Sequence, residues 1–84
     1  MRVEIYSRPS CPLCDEAADL LQEAAAKWRF ELVDVNILDD EALFHRYRYQ
    51  VPVVVIDGIE RLRLRFCAEE LDAALRAAAQ GTTP

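Results

Sequence analysis

Residues 2–6, RVEIY, alternate apolar and polar positions and carry β-branched side chains, a pattern that predicts a strand. The SRPS that follows reads as loop. From Pro12 the period changes. Leu13, Ala17, Leu20, Leu21, Ala24 and Trp28 recur mostly at spacings of three and four, which predicts an amphipathic helix running to about Lys27. FELVDVNI, residues 30–37, largely alternates again and predicts a second strand; a strand–helix–strand unit of this length makes its two strands parallel. Residues 39–48 carry a weaker helix, opened by Asp39, Asp40 and Glu41 where the helix dipole is positive. VPVVVIDGIERLRLRF then gives two strands joined by Asp57-Gly58, a two-residue hairpin signal. In the second arm Leu62, Leu64 and Phe66 are expected to face inward and Arg61, Arg63 and Arg65 outward. A final helix over residues 68–79 sets Leu71, Ala74, Leu75 and Ala78 on one face, with acids early and Arg76 late. The order βαβαββα implies an α/β fold with a four-stranded mixed sheet flanked by helices.

Composition narrows the options. At 84 residues the chain is expected to form one domain over residues 1–80, with the last four, GTTP, frayed. The 52% apolar content supplies enough side chain for a core at a size where cores are marginal. A net charge of −5 without any basic cluster argues against a nucleic-acid backbone or an anionic membrane as partner. No run reaches the length of a signal segment or a membrane span, so the cytosol is the expected compartment, and a monomer the expected form. In that reducing setting a permanent disulfide is disfavoured, which bears on the three cysteines.

Two of those cysteines stand in CPLC, directly after the first strand and its loop. Proline is favoured at the first position of a helix, so Pro12 there makes Cys11 the N-cap. A sulfur at the N-cap can accept hydrogen bonds from the free amides of Leu13 and Cys14 at the positive end of the dipole. Both effects favour the thiolate, the nucleophilic form, and lower its pKa below that of a free thiol. Arg8, three residues earlier, adds to this, while Asp15 and Glu16 oppose it. Cys14 falls on the edge of the apolar stripe and Cys11 well off it. The expectation is therefore an exposed attacking thiol at Cys11 and a shielded resolving thiol at Cys14. The alternatives are a zinc site drawing on Cys67 and His45, which lack paired ligand spacing, and a cysteine pair that only packs or lines a partner-binding surface.

With CPLC on that topology the chain resembles the glutaredoxin-like family of the thioredoxin superfamily, and the likeness extends through VPVVVID to the terminal helix. The resemblance implies the thioredoxin fold and a thiol-disulfide oxidoreductase with Cys11 as nucleophile and Cys14 as resolving thiol. It implies no tightly bound cofactor, protein or small-molecule disulfides as substrates, and glutathione or a thioredoxin reductase as electron donor. It also implies a cis Val51-Pro52 bond lying against the cysteines, where the residues alone equally fit a proline that merely begins a strand. A cis bond would turn the backbone of Val51 outward as a free edge for an extended substrate. Arg8, Pro12, Val51, Pro52 and Tyr6 are thus the candidate substrate contacts, with Tyr47 and Tyr49 on the opposite wall. Common glutaredoxins carry a threonine before Val-Pro, where this chain has Gln50, and a Gly-Gly pair before the last helix that helps hold glutathione. Here that region is IERLRLRFCAEE, which leaves Arg8 as the candidate for the glycine carboxylate of glutathione.

Three other residues invite over-reading. Cys67 stands three residues before Glu70, in the place of the serine of a capping box. It is expected to cap the last helix; the sharper alternative is a second low-pKa thiol beside the substrate groove. His45 is expected on the surface or at a helix end. Trp28 is expected in the core.

Overall fold

The computed structural model describes residues 1–81; residues 82–84, most of the expected frayed tail, lie outside the described residues. The elements follow the predicted order: β1 (Arg2–Ser7), α1 (Pro12–Trp28), β2 (Glu31–Asn36), a 3-10 turn (Ile37–Asp39), α2 (Glu41–Tyr47), β3 (Val53–Ile56), β4 (Ile59–Arg63) and α3 (Ala68–Ala79). The sheet runs β2-β1-β3-β4, with β1 and β2 parallel and the other two pairs antiparallel.

Local chemistry sets the boundaries. Pro12 opens α1, where its missing amide hydrogen costs nothing. Arg29 ends the helix in the left-handed region at φ 57°, its amide donating to the Ala25 carbonyl at 3.0 Å. The helix expected over 39–48 is shorter because Asp40 caps it: its Oδ1 accepts from the amides of Ala42 at 2.9 Å and Leu43 at 3.3 Å. Ile37–Asp39 before it form the 3-10 turn, with the Asn36 side chain accepting from the Leu38 amide. At the hairpin, Asp57 and Gly58 both take positive φ, 50° and 86°, as a primed turn requires. Asp57 also ties the hairpin to β1, donating its amide to the Arg2 carbonyl while its Oδ1 accepts the Arg2 amide, both at 2.8 Å.

The run Val53–Ile56 is buried on both faces, because helices cover both sides of the sheet. Val54 and Ile56 join Val3, Ile5, Leu21, Leu71 and Leu75 in the layer under α1 and α3. Val53 and Val55 join Ile37, Tyr47, Val51 and both CPLC cysteines in the layer on the α2 side. The first layer is the larger, and the chemistry-bearing residues belong to the second.

The alternation expected for β4 fails partway. Val54 pairs with Leu62 but Val55 pairs with Glu60, so Arg61 is the extra residue of a bulge and is half-buried instead of facing out. The strand ends at Arg63, and Leu64 adopts a left-handed φ of 61° with its amide on the Pro52 carbonyl at 2.8 Å. Leu64 therefore points outward, 43% exposed, while Phe66 is buried as expected. A one-residue slip and a left-handed residue each reset which face a side chain takes.

Trp28 is half-buried rather than interior, and the reason is its indole N–H. Nε1 donates to Asp72 Oδ1 at 3.2 Å across the seam between α1 and α3. The same carboxylate receives Lys27 Nζ at 3.4 Å and an Arg76 guanidinium nitrogen at 2.8 Å. The Trp28 bond foremost, then Lys27 and Arg76, hold Asp72 below the usual carboxylate range. A group whose folded pKa is depressed contributes stability above its unfolded pKa and loses it as pH falls through the folded value. Asp72→Asn is accordingly expected to lower the thermal midpoint slightly at neutral pH. The gap from wild type should close in strong acid; a gap that stays constant with pH would contradict this account.

Candidate redox site

Pairing of Tyr6 with Val53 sets the end of β1 beside the start of β3. The loop that leaves β1 and the turn that enters β3 consequently meet at one end of the sheet, over its two central strands. The first supplies Arg8 and Cys11, the second Arg48, Tyr49, Val51 and Pro52.

Ser10 takes a left-handed φ of 58° and turns the chain into Cys11, which is extended as a helix N-cap should be. The Cys11 carbonyl accepts the Asp15 amide at 3.1 Å, and its Sγ accepts the Cys14 amide at 3.2 Å. Cys11 and Cys14 form a disulfide, with Cα atoms 5.2 Å apart. A sulfur at a helix N-terminus that accepts an amide hydrogen bond is, as a free thiol, favoured in its thiolate form.

The expected contrast in exposure is absent: Cys11 is 5% exposed and Cys14 4%. The helical stripe counted only the face of α1 directed to the larger core layer, whereas the first turn of α1 also borders the α2-side layer and buries Cys11 there. The two cysteines still differ in access. Cys11 lines a surface cleft of about 450 Å³, and Cys14 does not.

Arg8, Pro12 and Val51 line this cleft with Cys11. Tyr49 also lines it, 79% exposed. Tyr6 does not reach it. It stacks on Tyr47 at 5.2 Å between ring centroids, and both pack into the cysteine layer beneath the cleft. Burial foremost raises the pKa of both phenols, with nearby carboxylates adding to it, Glu4 hydrogen-bonded to Tyr6 and Glu60 near Tyr47. Five residues escaped sequence reasoning as cleft residues: Leu13, Glu16, Arg48, Leu64 and Arg65. Arg48 had a readable signal, since it and Tyr49 shortly precede Val-Pro.

The Val51-Pro52 bond is cis, and Pro52 is fully buried and, unlike Val51, does not line the cleft. The backbone of Val51 is not a free edge, however. Its amide donates to the Tyr47 carbonyl at 3.2 Å, which also receives the Gln50 amide at 2.8 Å, so the turn that follows α2 has claimed it. Gln50, where common glutaredoxins have threonine, accepts a 2.9 Å hydrogen bond from the Arg63 guanidinium.

Cys67 caps α3 in a capping box with Glu70, its amide donating to Glu70 Oε1 at 3.1 Å. The Glu70 amide favours its thiolate, but the Glu70 and Glu69 carboxylates and partial desolvation outweigh it, and the thiol pKa is raised. This is the capping residue, not a second activated thiol. It lines a neighbouring groove that shares Glu16 and Arg65 with the cleft. His45 lies on the surface of α2, 3.7 Å from Glu41. Among the described residues no group of three or more His, Cys, Asp or Glu is placed to hold a metal ion, and no helix is long and apolar enough to cross a membrane.

A mixed four-stranded sheet between helices, with a cysteine pair at the start of α1 facing a cis-proline turn, defines a thioredoxin-fold protein of redox type. Residues 2–76 match the Glutaredoxin-like domain (DUF836), and the chain belongs to that family. Among solved structures it is similar to protein XcR50 of X. campestris, 36% identical with a TM-score of 0.78, covering 89% of this chain and 96% of that one. Protein Ne2328 of Nitrosomonas europaea is 30% identical at a TM-score of 0.72, with coverage of 86% and 87%. Thioredoxin 1 of Thermosipho africanus shares the fold at a TM-score of 0.71 and 16% identity, with coverage of 95% and 96%.

Proposed function

We propose that this protein is a cytosolic thiol-disulfide oxidoreductase that reduces disulfides through the Cys11/Cys14 couple. The observation that carries the reading is the position of Cys11. It caps α1, its sulfur accepts an amide hydrogen bond, and it alone of the pair opens on the cleft.

The Cys11 thiolate attacks one sulfur of the substrate disulfide, forming a mixed disulfide and expelling the other sulfur as a thiolate, which takes up a proton. The Cys14 thiolate then attacks the Cys11 sulfur, closing the Cys11–Cys14 bond and releasing the second substrate thiolate. Two electrons pass to the substrate, and the protein is left in the disulfide form. A thiol donor restores it by the reverse exchange, either glutathione or the dithiol of a thioredoxin reductase. No resident cofactor is needed for these steps.

Turbidity of insulin in dithiothreitol is expected to develop faster with the protein than without it. Equilibration in glutathione buffers is expected to show one two-electron couple, moving about 30 mV per tenfold change in equilibrium constant. If insulin is not reduced and the pair does not titrate, the enzyme reading fails, and the fold is serving as a binding module.

A further inference from the structure

The cleft over Cys11 is a cationic patch on an acidic chain. Arg8 from the β1–α1 loop, Arg48 from the end of α2 and Arg65 from the segment before α3 all line it, against the single carboxylate of Glu16. The chain as a whole carries −5. Elsewhere Arg46 lies over the Tyr47 ring and Arg63 bonds Gln50, while Arg2, Lys27 and Arg76 each pair with a carboxylate. None of the three cleft arginines does so among the described residues. Arg8 reaches only the Pro9 carbonyl at 3.5 Å, and Arg48 lies over the Tyr49 ring at 4.8 Å, an arrangement that leaves its N–H edges free to donate. Tyr49 and Leu64, both exposed, add apolar surface to the same cleft.

Building on the redox reading, we propose that the cleft selects disulfides carried on acidic polypeptide segments. Arginines from three separate segments can meet carboxylates on both sides of a substrate cysteine, while Tyr49 and Leu64 take the apolar side chains between them. The attraction acts over roughly 10 Å at moderate salt, so it speeds the encounter that brings the substrate disulfide to Cys11.

The test uses the pre-reduced full chain and three disulfide-linked dimers of one short cysteine peptide, flanked by Glu, by Ser or by Lys, with released thiol followed by quenched-flow mass spectrometry. At low ionic strength the Glu dimer is expected to react on the order of tenfold faster than the Lys dimer, with Ser between, and the spread should collapse in high salt. The Arg48→Ser, Arg65→Ser double variant should lose most of that spread. Equal rates for the three dimers would overturn the inference while leaving the redox reading intact; no reaction with any of them would overturn the redox reading itself. Glutathione disulfide is the last arm: compact and anionic, it would overturn the polypeptide assignment if reduced faster than the Glu dimer.

Discussion

Cys11→Ser is expected to bring insulin reduction down to the rate of dithiothreitol alone, whereas Cys14→Ser should stop the reaction halfway. The two sulfurs are bonded to each other and almost equally buried, so the difference arises from access and hydrogen bonding. Only Cys11 lines the cleft, and only its sulfur receives the Cys14 amide. A serine hydroxyl in that position is a far weaker nucleophile than a thiolate and cannot form the mixed disulfide. With Cys14→Ser the attack still occurs, but no second thiol releases the product. Mass spectrometry under limiting reductant should then find about one substrate chain held on each protein. Cys67 does not replace Cys14 in this account, because it sits at the start of α3 in a different groove with a raised thiol pKa. Equal activity of both variants would refute the assignment of roles.

Leu21→Ala should have the largest effect on folding. Leu21 is fully buried on α1, at the centre of the layer shared with Val3, Ile56, Leu71 and Leu75. Truncating such a leucine removes its transfer free energy and leaves a cavity, together costing about 2–5 kcal/mol. A domain of this size has only about 5–15 kcal/mol in total, so a substantial share of its stability goes. The urea midpoint should fall accordingly with little change in slope. Leu38→Ala is the control: Leu38 is exposed, and its loss should shift stability by less than about 0.5 kcal/mol.

What the chain discloses before folding is what depends on near neighbours. The N-cap at Cys11, Pro12 at the first helical position, the primed turn at Asp57-Gly58 and the capping box at Cys67 are all contained within four residues, and each stands as read. The cis Val51-Pro52 bond was reached through the family resemblance, since the residues alone also fit a strand-starting proline. The misses are non-local. Cys11 is buried by a second core layer whose members come from the 3-10 turn, α2 and β3, beyond the reach of any helical period. Leu64 turned outward because its own left-handed φ broke the alternation after Leu62, which still packs inward past the bulge at Arg61. Arg48 and Arg65 lie seventeen residues apart in sequence and line one cleft only because β3 and β4 fold back as a hairpin.

The hydrogen bond from the Val51 amide to the Tyr47 carbonyl has a cost attached. A substrate strand that pairs with Val51 through that amide must first break this bond, which closes the turn that follows the seven-residue helix α2. Main-chain recognition at Val51 therefore competes with an internal bond of that turn. The Val51 amide hydrogen should exchange with solvent well before those of β1 and β3, and the rate at which its bond to Tyr47 opens sets a ceiling on how fast main-chain pairing there can be completed.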